Sequence, residues 1–163
     1  MTPFHTYIEN LCRRHHSIRH TDEVPHFAGS ADSAQTAMAR RLHYPAVFLD
    51  VGDFDFAGDN SHKIMRRSIS IAFVTHVRDS GNAEEIQTAL NNMEQLMMDF
   101  IAQMDADRKA CLKVAMGVQL AGGEAHRVEL EGAGLYGWML FFAKENHINL
   151  CMPDNPFEIE TDD

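Results

Sequence analysis

His15, His16 and His20 come nearest to a spacing that chemistry would need. Imidazoles four residues apart on a helix share a face and can hold a divalent ion, so His16 and His20 would pair if the first helix ran on past them. No carboxylate or cysteine stands beside them at a spacing that completes four ligands, and no metal is expected. Asp53, Asp55 and Gly58 imitate the opening of a calcium loop, but the twelfth position holds Ile64 where a bidentate glutamate would be needed. Gly132-Ala133-Gly134-Leu135-Tyr136-Gly137 matches the dinucleotide fingerprint letter for letter. That fingerprint must open a helix inside a βαβ unit, whereas Trp138 to Phe142 reads as a strand, so the glycines predict a turn.

Nucleophilic chemistry finds no better footing. There is no G-x-S-x-G, and Cys12, Cys111 and Cys151 lie far apart, with no CxxC pair and no zinc spacing. Odd, dispersed cysteines suit a reducing compartment. Asp50 and Asp53 are separated carboxylates of the kind a glycosidase uses, but nothing marks a cleft around them. The expectation is a protein that is not an enzyme and takes no cofactor.

The elements that must position these residues follow from hydropathy. Thr2-Pro3 supplies a cap and a proline for a first helical position, and Phe4, Tyr7, Ile8, Leu11 and Cys12 recur at helical spacing, predicting a helix from Pro3 to about His16. The pattern is lost from Ser17 to Ser30, and a short helical stretch then ends near Leu42. Ala46 to Asp50 is a short apolar run. Ile64 to Val77 alternates, with Ile69, Ile71, Phe73, Thr75 and Val77 on one face and Ser68, Ser70, Ala72 and Val74 on the other. The two runs predict a hairpin whose connection, Gly52 to Ser61, has the composition of an exposed loop.

A long helix follows, capped by Asn82 with Glu85 three residues on, the spacing of a capping box. Its apolar stripe is Ile86, Ala89, Leu90, Met93, Met97, Phe100, Ile101 and Met104, and Met98 falls off it, available to a partner subunit. Leu112 to Leu120, a Gly122-Gly123 turn, Ala125 to Leu130, and Tyr136 to Ala143 read as further strands. Strands before and after a long helix, with a helix leading, predict an α+β fold: a mainly antiparallel sheet packed by a long amphipathic helix. One domain over residues 1–153 and an acidic, mobile tail over 154–163 are expected.

The charge bounds the partners. A formal net charge of −10 argues against general affinity for nucleic acid, since phosphate is bound by cations. The same charge suits a conduit that DNA slides through without being held. No segment reads as a signal peptide or a membrane span.

In the order of its elements the chain resembles the tail terminator, or tail completion, proteins of long-tailed phages and related prophages. The resemblance covers nearly the whole chain. It is carried by the N-terminal helix, Leu42-His43-Tyr44-Pro45-Ala46-Val47-Phe48-Leu49 entering the first strand, and the loop with Gly58-Asp59-Asn60. The alternating strand from Arg67 to Val77, the helix from Asn82 and Leu135-Tyr136-Gly137-Trp138 complete it. It departs from that pattern in the His- and Ala-rich stretch His15 to Arg41 and in the acidic residues after Pro153. The resemblance implies a virion structural protein, assembled in the host cytoplasm. Its subunits would form a hexameric ring that caps the tail tube, meets the tail tube protein on one face and the neck or connector protein on the other, and lets DNA through. The family assigns no binding residue. On the sequence alone the expected contacts are the hairpin loop, with Asp53, Asp55, Asp59 and Asn60, and Met98. The alternatives are a small adaptor dimerising through the helix 82–107 and a metalloenzyme using His16 or His20.

Overall fold

The computed structural model describes residues 3–29, 42–58 and 63–148. The expected short helix before Leu42, the cap at Thr2, the loop residues Asp59 and Asn60, Cys151 and the acidic tail lie outside the described residues.

Helix α1, Pro3–Arg14, buries the five residues its spacing picks out: Phe4, Tyr7, Ile8, Leu11 and Cys12. It stops two residues short of the expected end. Arg13 and Arg14 in its last turn face the negative end of the helix dipole, and Arg19, at φ 50°, turns the chain back so that the His20 N–H reaches the Cys12 carbonyl at 3.2 Å. Burial raises the Cys12 thiol well above its ordinary pKa, so this cysteine is a packing residue.

Among the described residues the sheet has five strands, in the order β1-β2-β3-β5-β4. These are β1 (Phe27–Ala28), β2 (Ala46–Gly58), β3 (Lys63–His76), β4 (Val118–Leu130) and β5 (Leu135–Ile148). Among the described residues only β1 and β2 run parallel, and every other pair is antiparallel. The fold is therefore α+β with a mainly antiparallel sheet, as the element order predicts. Strand β1 is new, arising in a stretch where the sequence shows no periodicity.

Four strand boundaries differ from expectation, the last strand running on to Ile148 instead of ending at Ala143. The first strand does not end at Asp50 but runs to Gly58, so most of the expected loop is a paired β-arm. Phe54 and Phe56 alternate with Asp53 and Asp55, a period of two that the Asp/Gly-rich composition obscures. The run Leu112 to Gly117 forms turns rather than a strand, with the N–H groups of Ala115 and Met116 both donating to the Leu112 carbonyl. Gly122-Gly123 does not separate two strands either. It sits in an irregularity within β4, between Gln119 opposite Ala143 and Glu124 opposite Phe141, while β5 continues unbroken as the template.

Helix α2, Ala83–Lys109, crosses the same face of the sheet as α1. Asn82 caps it, its side-chain oxygen accepting from the N–H groups of Glu84 and Glu85 at 3.1 and 3.2 Å. The capping box is half made, because the Glu85 carboxylate takes the Arg78 N–H at 3.1 Å, while the Asn82 N–H goes to the Asp79 carbonyl. The buried face is wider than the stripe suggested. Leu96, three residues after Met93 and four before Phe100, is only 3% exposed, whereas Ile86 and Ile101 sit partly buried at its margins. Ile69, Ile71 and Phe73 point from β3 into this core, and the Phe73 and Phe100 rings meet edge to face at 5.1 Å. On the far face Ala46, Ala72 and Val74 form a smaller cluster.

The glycine fingerprint finds its use here. Gly134, at φ 62°, turns the chain into β5 and gives its carbonyl to the Val77 N–H at 2.8 Å. Gly137 lies so close to β3 that a Cβ would run into the Phe73 carbonyl oxygen. The motif opens a strand and serves chain approach.

These burials rank the methionine and leucine positions on α2. Leu96→Ala is expected to cost about 2–5 kcal/mol, and Met98→Ala less than about 0.5 kcal/mol, in urea unfolding followed by circular dichroism. Equal losses would contradict the orientation of the helix.

Candidate assembly interface

The outer half of the β2–β3 hairpin projects past the cover of the helices. In β3 the fully buried residues begin at Ile69, and Lys63 to Ser68 are half-buried or exposed. The register of β2 against β3 shifts between Val51 and Phe54, which places Asp53 and Asp55 on the face away from the helices and Phe54 and Phe56 on the helix side. Those two phenylalanines are 51% and 65% exposed, with ring centroids 5.5 Å apart in an edge-to-face pair. The Arg67 guanidinium lies 5.2 Å from the Phe54 ring centre.

The other side of the arm is held by charge. Asp55 stands directly opposite Arg66 and takes a forked pair of hydrogen bonds, Nε to Oδ1 at 3.1 Å and Nη2 to Oδ2 at 2.9 Å. Arg66 holds the Asp55 carboxyl below its usual range. In open solvent such a pair adds little stability. Asp53 and Asp55 share a shallow cleft with Glu124 and the exposed Phe141.

Of the residues expected from sequence, Asp53 and Asp55 fall together on the arm, while Asp59 and Asn60 lie outside the described residues. Met98 is 49% exposed, as its place off the stripe predicts, but it lies on α2 and lines neither cleft that flanks the arm. Phe54, Phe56, Arg66 and Arg67 were missed. Their signal was the alternation of aromatic and acid from Asp53 to Phe56, continued in β3 by adjacent arginines facing opposite ways.

The histidines gather differently from expectation. With α1 ending at Arg14, His16 and His20 share no helical face. His15 and His16 stack at 4.6 Å, and His15 Nε2 lies 3.2 Å from an Asp99 carboxylate oxygen. His20 folds back onto α1, beside Glu9 and Asp22, and donor atoms of these three lie within 4.8 Å of one another. The donor set does not fit a metal. Arg13 already bridges Glu9 and Asp22, at 2.7 and 2.6 Å. His20 Nδ1 accepts the His26 N–H at 3.0 Å, so in the neutral ring Nε2 carries the proton, and it points at Glu9, 3.5 Å away. The group is an ion-pair cluster tying residues 20–26 to the helix. Among the described residues, no helix is long and apolar enough to cross a membrane.

His20 is 7% exposed, and burial first, then the nearby Arg13, lower its pKa below the ordinary 6.5. The unfolded chain therefore binds this proton more readily than the folded one, and stability present above pH 6.5 declines as pH falls toward the folded value. His20→Asn keeps an acceptor for the His26 N–H and removes the titration. The variant should lose less stability than the parent between pH 7.5 and 5.5, read as the shift in urea midpoint; an unchanged shift would remove His20 from the account.

No family model matches the chain, and no curated protein matches it, so the arm has to be read from its own chemistry.

Proposed function

We propose that this protein is a ring-forming structural subunit of a tailed phage or phage-like particle, a tail terminator that closes the tube and joins it to the neck. The observation that carries the reading is the arm. Two neighbouring exposed phenylalanines stand on a paired hairpin arm, with Arg67 beside them on the same face and Asp53, Asp55 and Arg66 on the reverse face. Exposed aromatic side chains beside an arginine are the residue types enriched at protein contacts. A contact between this patch and a different surface of the next copy is heterologous, and a heterologous contact that closes makes a ring.

In this reading the arm meets the neighbouring copy or the last ring of tail tube protein, and the opposite rim of the ring receives the neck or connector protein. DNA crosses the lumen under weak repulsion from a chain carrying 24 acidic against 14 basic side chains. The order of helix, hairpin, long helix and late strands supports the same assignment through the family resemblance.

Light scattering over a range of concentrations, with negative-stain imaging, tests it. A ring of about six copies with a central hole is expected. Phe54→Ser with Phe56→Ser should shift the assembly midpoint about tenfold or more while circular dichroism stays unchanged. A ring that survives both substitutions would remove the arm from the contact. A dimer at every concentration, dissolved by Met98→Lys, would favour an adaptor that pairs through α2.

A further inference from the structure

Between the N-terminal end of α1 and the outer half of the sheet lies a cleft of about 580 Å³. Phe4, Val51 and Met65 give it apolar walls, and three cations stand in its lining: Arg67, Lys113 and Lys144. No carboxylate joins them there among the described residues. In a chain where acids outnumber bases 24 to 14, three cations in one small lining facing no acid is a marked segregation of charge.

The contacts these cations do make are neutral. Lys144 Nζ donates to the Met116 carbonyl at 3.1 Å and to Asn146 Oδ1 at 2.9 Å, and lies 6.0 Å from the Phe4 ring centre. Arg67 rests on the Phe54 ring. Lys113 is exposed and forms no ion pair among the described residues. Burial lowers the Lys144 pKa, as it does for an ammonium without an anion beside it. An apolar cleft edged by such cations fits an acidic peptide that carries apolar anchors.

The chain contains such a peptide. Residues 149–163 hold five acids, Asp154, Glu158, Glu160, Asp162 and Asp163, and no lysine or arginine, with Phe157 and Ile159 alternating among them. An extended segment alternates its side chains between two faces, which would set Phe157 and Ile159 against the apolar walls and Glu158 and Glu160 toward the rim. Strand β5 carries Lys144 and Asn146, both in the lining of the cleft, and ends at Ile148. Fifteen extended residues reach about 50 Å, enough to cross to a neighbouring subunit. We propose that this cleft receives residues 154–163 of a second copy, with Phe157 and Ile159 as anchors and Arg67, Lys113 and Lys144 as partners of the acids. The choice of a second copy rests on the ring reading; the cleft and the peptide stand without it.

A fluorescein-labelled peptide of residues 153–163 is titrated with the full chain carrying Phe157→Ser and Ile159→Ser, and polarisation is read. Binding is expected, weakened about tenfold or more by Lys113→Glu and by about 0.5 M salt, and abolished when the peptide carries the same two serines. Lys113 is exposed and outside the core, so its variant should fold; Lys144→Gln repeats the test from the cleft wall. No binding, or binding indifferent to both substitutions, overturns the proposal. Light scattering then separates the two ideas. Loss of assembly in the Phe157/Ile159 variant supports docking between copies. A ring unchanged by that variant overturns the second-copy assignment while the terminator reading stands, and a wild-type chain that never assembles overturns that reading.

Discussion

The structure depends on one pairing, β3 against β5, which runs in continuous antiparallel register from Lys63 opposite Ile148 to His76 opposite Leu135. The strands approach so closely at Gly137 that a Cβ there would meet the Phe73 carbonyl, and neither can slip by one residue without turning Ile69, Ile71 and Phe73 out of the core. Strands β2 and β4 are templated on this pair, and β1 on β2. β2 adds to the free edge of β3 and β4 to that of β5, and each carries its irregularity, at Gly52–Asp53 and at 120–123, without disturbing the centre.

Both helices lie on one face of that pair, and their extent decides which residues are left for contact with other molecules. α1 and α2 are joined across the core by the Tyr7 hydroxyl, which donates to Asp107 at 2.8 Å. Burial, and then the hydrogen bond and charge of Asp107, keep that phenol protonated far above its ordinary value. The Trp138 indole N–H donates to the Leu90 carbonyl at 3.1 Å and ties α2 to β5. Beyond these ties the sheet outruns its cover. The exposed Phe54 and Phe56 lie on the helix side of the sheet beyond that cover, and the cleft with its three cations lies at its edge, between the start of α1 and the strands.

Charge is arranged by place more than by amount. Acidic residues are paired locally along α2, as Asp105 is with Arg108 and Lys109, or meet an arginine across the hairpin, as Asp55 does. Such exposed pairs contribute little to stability but leave few cations for anything else. The cations around the cleft are an exception, and their neutral partners make that cleft the place where an acidic segment meets least competition.

Local sequence determined the helices and the central strand, because a 3.6- or 2-residue period reports burial of one face whatever lies opposite. The α1 stripe, the odd face of β3 and the Asn82 cap were legible for that reason, and so was the exposure of Met98. Tertiary structure decided what periodicity cannot encode. Gly52 to Gly58 became strand because β3 offered it a paired edge, whereas the N–H groups of Ala115 and Met116 turn back onto the Leu112 carbonyl and only the Gly117 carbonyl reaches β5, at the Glu145 N–H. The glycine fingerprint acquired its meaning from the approach of β5 to β3, and the histidines from a chain reversal at Arg19 that brought His20 to Glu9. The cleft joins α1, β2, β3, β5 and the turn at Lys113, segments far apart in sequence, so only folding brings its cations together.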